Sequence, residues 1–129
     1  MNSFIDLLDS SYSPWGLVQI TREFYYSRGR TDVVALRDEN YLIAFEAKLK
    51  NWRKALDQAY RNTCFAHSSY VLLPKKAALI AYRFVGEFQN RKVGLCYLNG
   101  AECVILLEPE VNDPLEPWLA AEAISRALA

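Results

Sequence analysis

The segment from Arg30 to Lys50, RTDVVALRDENYLIAFEAKLK, decides the fold. Two short apolar runs, Val33–Leu36 and Tyr41–Phe45, flank the polar tetrapeptide Arg37–Asn40. Apolar runs of this length, rich in β-forming residues and separated by a cluster of turn-forming residues, are typical of buried strands. The segment therefore predicts two β-strands joined by a tight polar turn.

Three ionisable residues interrupt this hairpin at its open end, namely Asp32 in the first strand and Glu46 and Lys48 in the second. Side chains alternate between the faces of a strand, so Glu46 and Lys48 point the same way. A turn centred near residues 38 and 39 brings Asp32 opposite residues 45–47, with facing Cβ atoms roughly 5 Å apart. The sequence therefore predicts that two carboxylates and an ammonium group meet on one face of the sheet.

Charged groups inside an apolar hairpin are costly unless they are paired or bind a metal. Carboxylate oxygens suit a Mg²⁺ ion that keeps some of its waters. A lysine beside them could orient a water molecule or stabilise developing negative charge. The alternative is a surface ion pair between Glu46 and Lys48, with Asp32 as an ordinary polar residue of the hairpin. The pattern Glu-x-Lys alone does not distinguish the two, because it occurs by chance in most chains.

Asp32, thirteen intervening residues and then Glu46-Ala47-Lys48 resemble the metal motif of the PD-(D/E)XK nuclease superfamily. Thr31 stands where the superfamily usually has proline. The resemblance covers roughly residues 15–107. It implies an α/β fold, a mixed central β-sheet flanked by helices, as in restriction endonucleases. It also implies that Asp32, Glu46 and the backbone carbonyl of Ala47 ligate Mg²⁺ or Mn²⁺, and that Lys48 positions the attacking water.

The pattern after Lys50 changes from strand to helix. Asn51 is a favoured N-cap residue, and apolar residues then recur at helical spacing as far as Thr63. In RecB-like members of the superfamily this helix carries Gln-x-x-x-Tyr near the site, and the matching run here is Gln58-Ala-Tyr-Arg-Asn62. The resemblance implies that Gln58 is a fourth site residue. It leaves open whether Asn62 or Tyr60 replaces the missing tyrosine.

Basic residues are concentrated in the middle of a chain whose net charge is zero. Residues 22–92 hold fourteen of the fifteen basic residues and seven of the fifteen acidic ones, a net charge of +7. A basic segment around the site suits a polyanionic partner, and we expect nucleic acid, in the first place DNA. The candidates for phosphate contacts surround the predicted helix: Lys50, Arg53, Lys54 and Arg61. The alternative for these side chains is an ordinary solvated surface.

The rest of the chain completes a single predicted domain, residues 1–129. Helical or strand-like periodicity and turn signals define six further elements. They are a helix over Asn2–Ser10, a strand over Leu17–Tyr26, a strand over Ser69–Leu73 parallel to its predecessor, a helix over Lys75–Gln89, a hairpin around Asn99-Gly100 and a helix over Glu116–Leu128.

Other chemistries find little support in the sequence. The three cysteines, Cys64, Cys96 and Cys103, lack zinc-type spacing, so we expect them to be reduced and buried. His67, the only histidine, is expected to be a loop or capping residue rather than a general base. The sequence has no glycine-rich phosphate loop and no apolar run long enough to span a bilayer, and residues 1–6 lack the basic start and apolar core expected of a signal peptide. We therefore expect a cytoplasmic protein.

Two functional interpretations remain. The first is a metal-dependent endonuclease that hydrolyses phosphodiester bonds. The second is a non-catalytic module on the same fold that binds nucleic acid or protein as a subunit of a larger complex. A nuclease that cuts only as a homodimer or with a helper subunit is a weaker third option.

Glu23 is either a further acidic member of the site or a surface residue of its strand.

Overall fold

The computed structural model describes residues 2–10 and 13–129, apart from the side chain of Asn2. The helices are α1 (Asn2–Leu8), α2 (Trp52–Asn62), α3 (Lys75–Ala81), α4 (Val85–Asn90) and α5 (Pro117–Leu128), with a 3₁₀ turn at Tyr82–Phe84. The strands are β1 (Gln19–Tyr26), β2 (Gly29–Arg37), β3 (Tyr41–Ala47), β4 (Ser68–Leu73), β5 (Val93–Asn99) and β6 (Glu102–Leu107).

The six strands form one mixed sheet in the order β1-β2-β3-β4-β5-β6. The pairs β1–β2, β2–β3 and β5–β6 are antiparallel, whereas β3–β4 and β4–β5 are parallel. The connections explain this pattern, because short turns join the antiparallel pairs and helical crossovers join the parallel ones. The predicted α/β class, a mixed sheet flanked by helices, is confirmed. No helix in the described part of the chain is long and apolar enough to cross a membrane.

The β2–β3 hairpin has the predicted register. Asp38 and Glu39, the central residues of its turn, have φ angles of 53° and 65°, as a type I′ turn requires. The pairing then runs without a shift from Arg37↔Tyr41 to Val33↔Phe45. One further step along this register sets Asp32 opposite Glu46.

The apolar core lies on both faces of the sheet. On one face, α1 and Trp15 cover the strands, and the Phe4 ring packs edge-on against Phe45 at 4.8 Å between centroids. On the other face, α5 covers the β1–β3 side, and α2 with α3 and α4 covers the β4–β5 side. The open end of the β2–β3 hairpin is therefore flanked by α2, which supplies the remaining side chains of the candidate site.

The prediction of one helix over Lys75–Gln89 is wrong, because the segment contains a break. The chain leaves α-helical geometry at Tyr82–Phe84, where Phe84 has φ −111° and ψ 32°. With this break, Phe84 and Phe88 both stack on Trp52, at centroid distances of 5.1 and 5.6 Å. The break in the helix therefore accompanies a contact with α2, and the helical periodicity of the sequence does not predict it.

Strand β1 reverses its side-chain alternation at Glu23, which has a φ of 55°. Arg22 pairs with Val33 and Phe24 pairs with Thr31, so Glu23 lies opposite Asp32. Ile20 and Phe24 should share a face by strict alternation, yet they pack in clusters on opposite faces. The reversal accompanies Thr31 turning toward α2, where its hydroxyl reaches Asn62.

Candidate functional site

Asp32 closes the β2–β3 ladder with its side chain. Its Oδ2 accepts a hydrogen bond from the backbone N–H of Ala47 at 2.9 Å, and its Oδ1 accepts one from Arg30 Nη2 at 3.1 Å. The regular backbone pairing stops at Val33↔Phe45, so the carboxylate takes the place of a backbone acceptor for Ala47. The side chain is only 16% exposed, and these two hydrogen bonds hold it at the end of the hairpin.

Glu46 faces Asp32 from β3 and is 1% exposed. Its Oε1 accepts a hydrogen bond from Asn62 Nδ2 at 3.0 Å. Burial raises the pKa of Glu46 from its ordinary 4.5 to about 7, and the Asp32 charge adds to the effect. The bond from Asn62 and the charge of Lys48 oppose it. At neutral pH the Glu46 carboxyl therefore carries a proton in part of the molecules.

Asn62 is held in one orientation by two hydroxyl groups. Its Oδ1 accepts hydrogen bonds from Tyr26 at 2.7 Å and from Thr31 at 2.8 Å. With the oxygen so committed, Nδ2 is directed at Glu46. Asn62 thus lies in the candidate site at the end of the Gln-x-x-x pattern, whereas Tyr60 is 52% exposed.

Gln58 lies one helical turn before Asn62 on the same side of α2. The residue is half-buried, and its Oε1 is enclosed without a hydrogen-bond partner among the described residues. An enclosed acceptor with no donor is uncommon in native proteins, because it loses the free energy of its hydration. The amide oxygen is therefore suited to accept a bond from a water molecule, or from an ammonium group that moves toward it.

Lys48 borders a cleft at the carboxyl ends of β3 and β4. The cleft has a volume of about 380 Å³ and is mainly apolar, with a carboxylate and an ammonium group at its margin. It is lined by Asp32, Ala47, Lys48, Leu49, Leu72, Leu73, Pro74 and Leu98. Lys48 is half-buried and makes no ion pair within the described chain. The ion pair between Glu46 and Lys48, the alternative drawn from the sequence, is therefore not formed.

The four predicted phosphate-binding residues do not form one cluster. Lys50 and Lys54 are exposed near the start of α2. Arg53 is already engaged, since it pairs with Glu87 at 2.7 Å and lies over the Trp52 ring at 4.3 Å from its centroid. Arg61 lines a different cavity, of about 660 Å³, together with Arg28. Only the first two are thus free near the end of α2 that follows the Glu46–Lys48 segment.

Arg30 is a site residue that the sequence did not indicate. Its guanidinium contacts Asp32 through Nη2 and Glu23 through Nη1, at 3.1 and 3.3 Å. Glu23 is itself 59% exposed and reaches the site only through this arginine. The residue lies at the start of β2, where neither periodicity nor the motif assigns it a role.

His67 has a structural role just before β4. His67 Nδ1 accepts a hydrogen bond from the Leu42 N–H at 3.0 Å, and burial lowers its pKa, so the ring is a neutral structural acceptor. The prediction of a loop or capping histidine is confirmed. Cys64 and Cys96 are buried free thiols, and Cys103 is a half-buried one.

The donor set fits a hard divalent cation that retains water ligands. Two carboxylates and a backbone carbonyl suit Mg²⁺ or Mn²⁺, because such ions need only one or two carboxylates from the protein. No group of three or more His, Cys, Asp and Glu side chains suited to a metal occurs within residues 2–10 and 13–129.

Comparison with known proteins gives a fold and no activity. Neither a family model nor a curated protein matches the chain. Among solved structures it is similar to the SPO1766 protein of unknown function from Silicibacter pomeroyi, with a TM-score of 0.60 and 15% sequence identity. The match covers 84% of this chain and 70% of the other. At this identity the likeness shows a shared fold alone.

Proposed function

We propose that this protein is a metal-dependent nuclease of the PD-(D/E)XK type that hydrolyses phosphodiester bonds in nucleic acid, in the first place DNA. The observation that carries the proposal is the meeting of Asp32 and Glu46 at a buried edge of the sheet. A carboxyl pair with little solvent is unfavourable in itself, so its presence favours a ligand that it serves. The element order and the mixed sheet support a restriction endonuclease-like fold.

Asp32, Glu46 and the carbonyl oxygen of Ala47 would hold Mg²⁺ or Mn²⁺ in this proposal. The bound ion would supply Lewis-acid stabilisation of the phosphate and a more acidic water. The network around Asn62 would keep Glu46 in place, since Asn62 binds one carboxylate oxygen and leaves the other available.

Lys48 and Gln58 would act on the water and the phosphate. The Lys48 ammonium, at the margin of the cleft, would donate hydrogen bonds to the attacking water and to a phosphate oxygen. The unpartnered Gln58 Oε1 would accept a bond from that water or from Lys48. The water oxygen would bond to phosphorus and lose a proton to solvent, the bond from phosphorus to the leaving oxygen would break, and the leaving oxygen would take up a proton from solvent. The apolar cleft would receive the nucleoside next to the scissile phosphate.

A second candidate function is a non-catalytic binding module, and the Arg30–Asp32 ion pair favours it. A guanidinium at 3.1 Å already neutralises Asp32, so the carboxyl pair is partly compensated without a metal. In that case the basic side chains would bind nucleic acid, or a protein partner would cover the cleft. The chain would then act as a subunit of a larger complex or as a homodimer.

A cleavage assay tests the nuclease. The wild type, Lys48→Ala and a matched surface variant, Lys92→Gln, are incubated with labelled single-stranded, duplex and branched DNA and with RNA, in Mg²⁺, Mn²⁺ or EDTA. We expect metal-dependent cutting that falls at least about 100-fold in Lys48→Ala and persists in Lys92→Gln. No cutting of any substrate would contradict the nuclease, and retention of DNA without cutting would favour the binding module.

A further inference from the structure

Arg30 is the one described cation that contacts either carboxylate of the candidate site. It bridges two acids with two different nitrogens, Nη2 to Asp32 Oδ1 and Nη1 to Glu23 Oε1. Its side chain is 45% exposed, whereas that of Asp32 is 16% exposed. The guanidinium therefore lies at the solvent boundary of the site, with Nη2 directed at Asp32 inside the site and Nη1 directed at the exposed Glu23.

The oxygen that Arg30 contacts is the one available to a metal. Asp32 Oδ2 is committed to the backbone amide of Ala47 at 2.9 Å, and that bond holds the open end of the hairpin together. Oδ1 instead accepts its hydrogen bond from the arginine side chain. A divalent cation on Asp32 would thus take up the position of the guanidinium, and the two positive groups would repel each other.

Glu23 is a second acidic partner that can hold Arg30 near the site when its contact with Asp32 is lost. This residue lies opposite Asp32 in the β1–β2 ladder and has a φ of 55° in the middle of a strand, a region that non-glycine residues rarely adopt. Such backbone outliers persist where the surrounding contacts maintain them. With Glu23 still bound at 3.3 Å, an arginine released from Asp32 would keep its place at the margin of the site.

We infer that Arg30 binds a phosphate of the nucleic acid only when a metal ion is present. In the metal-free protein Asp32 binds the guanidinium, and a divalent cation on Asp32 releases the guanidinium for the phosphate. The inference rests on the proposed function, because it needs a cation at Asp32. Arginine suits this role, since its planar fork binds phosphate oxygens in pairs as readily as carboxylate oxygens. Metal binding and nucleic-acid binding are thereby coupled through one side chain.

Two binding measurements test this coupling without relying on cleavage. Arg30→Gln is compared with Arg22→Gln, which removes the same charge from the adjacent strand without a contact to Asp32, and all proteins carry Lys48→Ala so that DNA stays intact. Calorimetry measures the affinity for Mn²⁺. Fluorescence anisotropy measures the affinity for a short labelled DNA strand in Mn²⁺ and in EDTA.

We expect Arg30→Gln to bind Mn²⁺ several-fold more tightly than Arg22→Gln, because a competing cation is gone. In Mn²⁺ it should bind DNA about tenfold more weakly than Arg22→Gln, and in EDTA the two should be equal. Equal behaviour of the two variants in Mn²⁺, with metal bound, would overturn this inference alone. So would a loss of DNA affinity in Arg30→Gln that is the same with and without metal. Absence of Mn²⁺ binding in every variant would overturn the metal site as well.

Discussion

The two ends of the β2–β3 hairpin carry the same kinds of side chain in opposite environments. At the closed end, Asp38 and Glu39 are exposed, and the Arg37–Asp38 pair is loose, at 3.9 Å with the aspartate 85% exposed. At the open end, Asp32 and Glu46 are 16% and 1% exposed, and each accepts at least one hydrogen bond.

The acids at the two ends differ in burial and in the contacts that account for their positions. The closed-end acids are explained by the turn, whose left-handed φ angles suit small polar residues, and their ion pair adds little stability. At the open end, the bonds of Asp32 to the Ala47 backbone and to Arg30 explain that residue in part, but the turn does not explain the burial of Glu46. Burial of Glu46 destabilises the charged form of its carboxyl. Asn62 nevertheless donates a hydrogen bond to that carboxyl, and Thr31 and Tyr26 hold Asn62 in the orientation that this bond requires.

The largest difference between the two ends should appear in catalysis. We expect Glu46→Gln to reduce Mg²⁺-dependent cleavage about 100-fold or more, because it removes a charged metal ligand without changing the shape of the site. Glu39→Gln should leave the rate unchanged. The measurement is the initial rate on the substrate identified in the assay above, and equal activity of the two variants would exclude Glu46 from the site.

The pH dependence of stability should also differ. In the metal-free folded protein the pKa of Glu46 is about 7, against 4.5 ordinarily, so between these values the folded state holds a proton that the unfolded chain has lost. The stabilisation is complete below pH 4.5 and disappears as pH rises through 7, a fall on the order of 3 kcal/mol. Urea unfolding in EDTA at the two pH values, on wild type, Glu46→Gln and Glu39→Gln, isolates the effect. Only Glu46→Gln should lose this fall, and a fall that persists in that variant would contradict the raised pKa.

Removing an asparagine at each end gives the next largest contrast. Asn62→Ala removes the donor to the buried Glu46 carboxyl and the acceptor shared by the buried Thr31 and half-buried Tyr26 hydroxyls, so the free energy of unfolding should fall by about 2 kcal/mol. Asn40→Ala, at the exposed turn, should change it by less than about 0.5 kcal/mol. Denaturant midpoints at constant pH measure both, and similar effects of the two changes would contradict the network around Glu46.

The smallest predicted effect concerns two glutamates with left-handed backbones. Glycine adopts positive φ without a Cβ penalty, so Glu39→Gly should stabilise the protein by roughly 0.5–1 kcal/mol. Glu23→Gly should gain less, because it also removes the ion pair with Arg30. Thermal unfolding of both variants checks this order. A larger gain at Glu23 would mean that the Arg30–Glu23 contact contributes nothing.

The fold was predictable where the hydrophobic pattern of a segment and the position of its turn indicate the same strand pairing. The apolar runs and polar turn of residues 30–50 fix the hairpin, and the meeting of Asp32 with Glu46 follows from its register alone. The break at Tyr82 was not predictable, because it accompanies Phe84 stacking on Trp52, a contact between distant parts of the chain.

The candidate site was predictable only where a motif marks it. Asp32, Glu46 and Lys48 were predicted from their positions in the hairpin, and Gln58 was implied only by the resemblance to RecB-like proteins. The choice between Asn62 and Tyr60 depends on how α2 is rotated against the sheet, which its own sequence does not determine. Arg30 was missed because an exposed arginine at the start of a strand has no pattern that distinguishes it from any other surface charge.

The most direct test of the central claim is a calorimetric titration of Mn²⁺ into the wild type, Glu46→Gln and Glu39→Gln at neutral pH. The carboxyl pair at the open end predicts binding of one ion by the wild type and by Glu39→Gln, and loss of that binding in Glu46→Gln. No binding by the wild type, or the same binding by Glu46→Gln, would contradict a metal site at Asp32 and Glu46.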